Sequence, residues 1–269
     1  MLCAEIEINS ACRMRIMRLA TILIGLFLVF GPVRSATAAE PSTPKIRALM
    51  VCGGCCHDYQ NQKRIVSNAL SDHVGDIKWT ILEYSSKRDV KADVYKQKDW
   101  IKEFDIVIHN ECFGGITDGE FVQSIVDAHV ENKIPAIVIH CSMHSYRKAP
   151  TADSWREFLG VTSRRHEKKK HPLTVKVTEA GKKSPIMASV GSGFTTPNGE
   201  LYIIEKVWPN TTVLASVKSD ETKKDEPVIW TNNIKGTKVF GISLGHHNET
   251  MQANAWKQIV NAGWKWALE

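Results

Sequence analysis

The distribution of apolar and polar residues along the chain predicts strands and helices in alternation. Nearly continuous apolar runs occur at Ile46–Cys52, Phe104–His109 and Ile134–His140, and such runs are typical of strands that are buried on both faces of a sheet. Between these runs, apolar residues recur at helical spacing in Gln60–Leu70 and Asp118–Val130. Strands that alternate with helices in this way predict a mostly parallel sheet covered by helices on both faces.

The pattern changes in the second half of the chain. Between residues 147 and 226, short segments such as Pro172–Thr178 and Leu201–Lys206 are separated by turns rich in Gly, Ser and Pro. We expect these segments to be antiparallel or edge strands, and residues 147–226 to be a β-rich elaboration that caps the carboxyl edge of the sheet. An apolar strand at Val239–Leu244 and a tryptophan-rich helix at Ala253–Leu268 complete the pattern.

The start of the chain has the composition of a secretory signal peptide. Three arginines precede an apolar run at Leu19–Val33, and small residues follow at Ala36–Ala39. The apolar run is shorter than the roughly 20 residues that a membrane span needs. We therefore expect residues 1–39 to be removed on export to the periplasm or the cell exterior. Residues 40–269 would then form a single α/β domain with no membrane contact.

The chain carries a formal net charge of +6, and part of the excess lies in the basic run Arg164–Lys170. A run of this kind can attract nucleic acid or an anionic surface. No aromatic residue or nucleic-acid motif accompanies it, so we expect a solvated loop and no nucleic-acid partner.

Five cysteines follow the predicted cleavage site. Their odd number leaves at least one thiol unpaired, or requires a pairing between chains and hence a homo-oligomer. A bridge from Cys52 to Cys55 or to Cys56 is compatible with an oxidising compartment, but the sequence leaves the pairing open. The five are Cys52, Cys55, Cys56, Cys112 and Cys141.

Two histidines and a glutamate follow the last predicted strand directly. That strand ends at Gly245, and His246, His247 and Glu249 come next. A histidine and a nearby carboxylate at a strand end can act as a general base and the group that orients it. The alternative interpretation is a polar turn after a buried strand.

A cysteine and two more histidines follow the strand that ends at His140. Cys141, at a strand-to-helix turn, is placed where backbone N–H groups lower the pKa of a thiol and make it a nucleophile. The residues that flank it are Ile139 and Met143 rather than glycines, which argues against a tight nucleophile elbow. His140 and His144 are therefore better candidates for binding or proton transfer.

Further polar residues mark other strand ends and the elaboration. The pair Cys52-x-x-Cys55 with a nearby histidine is compatible with zinc, but no second such pair completes a structural site. We expect a binding loop here and leave a divalent metal cofactor open. Because the carboxyl ends of parallel strands share one edge, these residues predict one common site. They are Gly54, His57, Asp58, Asn110, Glu111, Glu200 and Tyr202.

Short blocks of sequence spread over residues 45–268 carry a family resemblance. The blocks are Gly54 with His57–Tyr59, Phe104–Val107 with Gly115 and Thr117-Asp118, Ile137–His140, His171–Thr174, Gly199–Tyr202, Pro227–Trp230 with Gly236, Val239-Phe240 with Ser243–His246, and Trp266-Ala267. In order and spacing the chain resembles the ThuA-like family, named for a trehalose-utilisation protein. The resemblance implies a flavodoxin-like, doubly wound sheet related to the class I glutamine amidotransferases, and a link to carbohydrate metabolism.

The amidotransferase relationship can be compared residue by residue. His247-Asn248-Glu249 resembles the His-Pro-Glu of that superfamily, and Cys141 lies near its nucleophile position. ThuA-like chains generally lack this cysteine, and the glycines of the elbow are absent here. We therefore do not expect glutamine amidotransferase activity.

Two functional hypotheses follow. In the first, the protein is a carbohydrate-active hydrolase or lyase that acts on a sugar or glycoside. His246 or His247 is then the acid or base and Glu111 or Glu249 orients it, while other strand-end residues bind hydroxyls or a metal. In the second, the domain binds a carbohydrate or a protein partner without catalysis.

Overall fold

The computed structural model describes residues 46–74, 76–150 and 152–269. The predicted signal peptide lies outside these residues. Within them, no helix combines the length and apolar character that a membrane crossing requires. The helices are α1 (Tyr59–Val74), α2 (Gly119–Asn132), α3 (Ala152–Leu159), α4 (Glu179–Lys182), α5 (Asn248–Gln252) and α6 (Asn254–Leu268). The strands are β1 (Ile46–Gly54), β2 (Ile77–Glu83), β3 (Ile106–Cys112), β4 (Ala136–Ile139), β5 (Val161–His166), β6 (Thr174–Val177), β7 (Gly193–Thr195), β8 (Tyr202–Val207), β9 (Thr211–Lys218), β10 (Asp225–Ile234) and β11 (Thr237–Ile242).

A large mixed sheet forms the centre of the described part of the chain. Its strand order is β2-β1-β3-β4-β11-β10-β9-β6-β7. The first five strands are mutually parallel, and the remaining four extend the sheet in antiparallel pairs. Because β1, β3, β4 and β11 point the same way, the segments that follow them emerge at one edge of the sheet. The predicted mostly parallel α/β sheet is thus observed.

Helices cover both faces of the parallel strands and bury the two sets of alternating side chains. On one face, Met50 and Ile108 pack with Val66 of α1 and Trp256 of α6. On the other face, Leu49 and Val107 pack with side chains of α2 and α3. Every residue of β3 and β4 is buried, which explains why their sequences are nearly continuous in apolar residues.

The region 147–226 is rich in strands, as predicted, but it does not form a single cap. The strands β6, β7 and β9 join the main sheet through antiparallel pairing, and the alternating buried valines of β6 lie on one face of that sheet, in its core. The strands β5 and β8 instead form a separate antiparallel pair. This pair packs beside the short 3-10 helix His140–His144, where His144 Nε2 lies 3.3 Å from Ser163 Oγ.

The cysteine pairing differs from the bridges considered for Cys52. The structure pairs Cys55 with Cys56 and Cys112 with Cys141. Cys52 is a free, buried thiol that donates to the Leu82 carbonyl on the neighbouring strand β2. Cys52 lies within β1, and neither of the two bridges that the sequence left open for it is present.

A buried polar network lies beneath the carboxyl edge. Glu111 Oε1 accepts from the hydroxyls of Tyr95 and Tyr146 and lies 2.9 Å from His109 Nδ1. His109 Nε2 lies 3.1 Å from His129 Nε2, and His129 Nδ1 lies 2.7 Å from the Ile134 carbonyl. Since that carbonyl only accepts, His129 donates to it and His109 donates to His129. The His109 and Glu111 side chains, at the centre of this network, are both fully buried.

We predict that Glu111→Ala lowers the free energy of unfolding by about 3 kcal/mol, because it leaves buried polar partners unpaired. Urea denaturation followed by tryptophan fluorescence measures this loss. Glu131→Ala, on the exposed side of α2, is the matched control and should unfold at the wild-type urea concentration. Equal stability of the two variants would show that the network does not stabilise the fold.

Candidate metal centre

Four side chains converge at the carboxyl edge of the sheet. His57, His140, Glu200 and His246 each offer a ligand atom, and these atoms all lie within 4.8 Å of one another. His57 follows β1, His140 follows β4, His246 follows β11, and Glu200 precedes β8. The four come from separate parts of the sequence. The parallel topology brings the three histidines together, and Glu200 reaches them from the segment before β8.

The distances define which atoms face one another. His57 Nε2 lies 2.9 Å from His246 Nδ1. Glu200 Oε2 lies 3.3 Å from His140 Nε2 and 3.6 Å from His246 Nδ1. These spacings are those of atoms that surround a common point. A metal ion bound there would draw the four atoms closer together, since they lie within 4.8 Å of one another and zinc bonds to imidazole nitrogen and carboxylate oxygen are about 2.0–2.2 Å long.

The outward nitrogens of two histidines are fixed by backbone carbonyls. His140 Nδ1 lies 2.5 Å from the Ser243 carbonyl, and His57 Nδ1 lies 3.3 Å from the Cys55 carbonyl. A carbonyl requires a donor, so in both rings the proton is on Nδ1 and the lone pair is on the inward Nε2. This arrangement is the usual second shell of a metal-binding histidine.

The inward nitrogen of His140 faces Glu200 Oε2 at 3.3 Å but makes no hydrogen bond with it. The residue is almost fully buried, and its Nε2 makes no hydrogen bond within the described part of the structure. An unpaired buried polar atom costs free energy. A metal ion at the centre of the cluster would satisfy this atom, so the donor set fits such an ion.

The protonation states also suit a cation. Burial, followed by the nearby imidazoles of His140 and His246, lowers the pKa of His57 to about 2. Burial likewise lowers the pKa of His246 to about 4. Burial acts to raise the pKa of Glu200, but its close contact with His140 outweighs this and the net pKa shift is downward. Neutral imidazoles beside an ionised carboxylate are what metal binding requires.

Three imidazoles and one carboxylate indicate the class of metal. Imidazole nitrogen suits zinc, iron, copper and nickel, whereas magnesium and calcium prefer oxygen ligands. The cluster therefore fits a first-row transition metal or zinc.

His140 adopts a backbone conformation that is rare for residues with a side chain. Its φ is +43°, in the left-handed region that costs roughly 1–3 kcal/mol for such residues. The Cys112–Cys141 disulfide and the Ser243 contact hold the turn on either side of it. Strain of this kind persists where the surroundings over-determine the conformation, and functional sites are typical places.

Two further contacts align the strand ends. At Gly54, with φ of +87°, a Cβ atom would lie 2.3 Å from the Cys112 carbonyl, so glycine allows β1 and β3 to approach closely. The buried Gln62 donates from Nε2 to the Gly245 carbonyl at 2.9 Å, and its Oε1 accepts from Asn110. Gln62 thereby fixes the backbone just before His246.

A cavity of about 560 Å³ opens above the cluster. Six residues selected from the sequence line it, and they include three members of the cluster. His144 and Tyr202 stack at its floor, with ring centroids 4.2 Å apart and planes 7° apart. The six are His57, Cys141, His144, Glu200, Tyr202 and His246. His140 is not part of the lining.

Other candidate site residues lie away from the cavity. Gly54 and Asn110 act through the strand alignment described above. Asp58 is exposed and accepts from the side chains of Asn61 and Asn248 at the start of α1, a capping role. Glu249 is exposed and contacts Asn198.

Two predicted catalytic residues do not reach the cluster. Glu111 was expected at the site, but side chains alternate along β3, and its carboxylate lies on the buried face with His109. His247 is only in ring contact with His246, at 4.4 Å between centroids. The carboxylate beside His246 is Glu200 rather than Glu111 or Glu249.

Cys141 does not have the form of a nucleophile. Its sulfur is bonded to Cys112, and a disulfide sulfur carries no thiolate to attack a substrate. The predicted nucleophilic role therefore has no support in this oxidised form. The disulfide of Cys141 links the turn after β4 to the end of β3.

The sequence interpretation missed the basic wall of the cavity. The run Arg164–Lys170 was expected to be a solvated loop, but four of its basic residues line the cavity. Lys170 Nζ lies 2.5 Å from His246 Nε2 and 3.4 Å from Glu200 Oε1. If His246 Nδ1 binds a cation, Nε2 carries a proton, so Lys170 would then be held by Glu200. The sequence shows that basic residues are clustered in this run, but their position at the cavity depends on the β5–β8 pair.

Comparisons with known proteins agree with the fold. The family model ThuA, described as trehalose utilisation, matches residues 47–267. A ThuA-like protein from Parabacteroides merdae ATCC 43184 is 16% identical, with 84% of this chain and 90% of that chain covered and a TM-score of 0.66. A ThuA-like protein from Bacteroides uniformis ATCC 8492 is 17% identical, with 87% and 95% covered and a TM-score of 0.61.

A more distant likeness is to Agd3, described as a novel carbohydrate deacetylase. It is 10% identical, with 83% of this chain and 32% of Agd3 covered and a TM-score of 0.51. No curated protein matches the chain. The structural likenesses show the fold, while the family model spans nearly all of the described residues. The chain therefore belongs to the ThuA, or trehalose utilisation, family.

Proposed function

We propose that this ThuA domain is a metal-dependent enzyme, a hydrolase or lyase, that acts on a sugar or sugar derivative. The observation that carries the proposal is the convergence of His57, His140, Glu200 and His246, with the buried Nε2 of His140 left without a hydrogen bond. The family description links the chain to carbohydrate utilisation, and the cavity volume is in the range of small-molecule sites.

A divalent ion at this cluster would polarise a substrate oxygen and lower the pKa of a bound water. In this proposal His246 is a ligand rather than the acid or base expected from the sequence. Two histidines of the cavity lining are left for proton transfer. His144 is buried against Tyr202, whereas the ring of His166 is 41% exposed and its Nδ1 lies 3.6 Å from Glu200 Oε1. Lys170 lies on the same side and can stabilise negative charge on a leaving group.

The strand order β2-β1-β3-β4-β11, with helices on both faces, supports a flavodoxin-like, doubly wound core of the amidotransferase type. The pairing of Cys141 supports the expectation that glutamine amidotransferase activity is absent. Two disulfides support an oxidising compartment, and therefore export to the periplasm or the cell exterior. The likeness to a carbohydrate deacetylase does not select the bond that is broken.

We predict that the purified protein holds one metal ion per chain and that His246→Ala loses it. Elemental analysis after dialysis against zinc, manganese and nickel measures the content. We expect the affinity to fall by at least about 100-fold, since one of four ligands is lost. His247→Ala is the matched control, one residue away and outside the cluster, and should keep the metal. A wild-type protein free of metal, or equal loss in both variants, would contradict the proposal.

We further predict that Glu200→Gln reduces kcat/KM on a sugar substrate by at least about 100-fold, because the cluster loses its only negative charge. Turnover is screened by product analysis with trehalose and other glycosides. Glu249→Gln, in the exposed turn, should retain wild-type turnover. Stoichiometric sugar binding without product in the metal-loaded wild type would instead support the non-catalytic binding hypothesis.

A further inference from the structure

The cavity above the metal centre has a strongly cationic wall. Among the described residues that line it, Glu200 is the one carboxylate, and it is already engaged with the histidines of the cluster. Six basic side chains surround it from three separate segments of the chain. They are Arg88, Arg147, Arg164, Arg165, Lys168 and Lys170.

The six are not equally compensated. Arg165 Nη1 lies 2.8 Å from Glu221, and Arg164 Nε lies 3.6 Å from Glu205. In contrast, the side chains of Arg88, Arg147 and Lys168 form no ion pair within 4.0 Å in the part of the chain that the structure describes. Only the backbone N–H of Lys168 donates to Glu221, at 2.7 Å. Three basic groups therefore face the cavity without a direct ion pair.

The fold, and not one basic run, brings two of these groups together. The turn after β3 is in contact with both Arg88 and Arg147. Gly115 N donates to the Arg88 carbonyl at 2.7 Å. At Gly114, a Cβ atom would lie 3.2 Å from Arg147 Nε, so the guanidinium packs directly over that glycine. The two arginines, far apart in sequence, are thus held on the same turn at the edge of the cavity.

Unpaired cations in one concave site repel one another, and an anionic ligand would relieve this repulsion. Guanidinium groups bind phosphate, sulfate and carboxylate through parallel N–H donors, and these charge-assisted bonds are among the stronger hydrogen bonds in proteins. If these charges belonged to an evenly basic surface, neighbouring lysines would line the cavity as well. Here Lys148 and Lys169, the immediate neighbours of Arg147 and Lys168, are absent from its lining.

We propose that the sugar bound at the metal centre carries an acidic substituent, a phosphate, sulfate or carboxylate, which Arg88, Arg147 and Lys168 bind. The inference rests on the proposed function, because it names the substrate class of the same site. Lys170, which contacts both Glu200 and His246, would lie between the acidic substituent and the metal. A neutral glycoside would leave the basic wall unpaired.

Calorimetric titration tests the inference with matched neutral and acidic sugars. The pairs are glucose with glucose 6-phosphate, glucose 6-sulfate and glucuronate, and trehalose with trehalose 6-phosphate. We expect at least one acidic sugar to bind at least about tenfold more tightly than its neutral counterpart. The preference should shrink as salt is raised. The three glucose derivatives then show which acidic group the site prefers.

Charge variants locate the preference. The double variant Arg147→Ala with Lys168→Ala should lose most of the preference for the acidic sugar while binding the neutral sugar unchanged. The double variant Lys148→Ala with Lys169→Ala removes the same charge from neighbouring positions outside the cavity and should keep the wild-type preference. Thermal unfolding of both variants verifies that they are folded.

Three results would overturn the inference: no acidic sugar binds more tightly than its neutral counterpart, both double variants lose the preference equally, or neither loses it. If the preference survives in both and disappears in metal-free His246→Ala, the anion binds the metal and not the basic wall. Metal content, measured on the same samples, separates the two proposals. A protein that binds metal but shows no preference for acidic sugars would support the proposed function alone. A protein that shows the preference but binds no metal would support the basic anion site alone.

Discussion

The site depends on the cost of burying imidazole groups without a full set of hydrogen bonds. His140 is buried, and its Nδ1 donates a hydrogen bond to the Ser243 carbonyl. Its Nε2 makes no hydrogen bond and faces the ligand atoms of the other three side chains. Burial lowers the pKa of His57 and of His246, so near neutral pH these rings do not become protonated and gain no further hydrogen-bond donor. A bound cation would satisfy these lone pairs together. This interaction gives a reason for the strained φ of His140 and for the contacts that hold it.

The parallel strands and the histidines at their ends could be predicted from the sequence, because both signals are local. Buried strands appear as continuous apolar runs, and the residues just after them must lie at the carboxyl edge. On this basis His57, His140 and His246 were placed at one edge, as the structure shows. Glu200 was also selected, but its contact with the histidines depends on how the chain returns to the edge before β8.

The remaining features depend on side-chain direction and on distant parts of the chain. Asn110 and Glu111 are adjacent, yet the alternation along β3 directs one to Gln62 and the other into the buried network with His109. The cysteine pairing follows from which residues leave the strand ends, and the sequence does not fix that. The run Arg164–Lys170 reaches the cavity through the packing of β5 and β8, and Arg147 through its contact with the turn after β3. Neither contact has a local signature in the sequence.

X-ray absorption spectroscopy of the metal-loaded protein tests the central claim most directly. Our account predicts a first shell of about three nitrogens and one protein oxygen near 2.0–2.2 Å, with the outer-shell scattering of imidazole rings. A shell containing sulfur near 2.3 Å would place the metal on the neighbouring cysteines instead. That result, or a shell made only of oxygen, would contradict a metal centre built from His57, His140, Glu200 and His246.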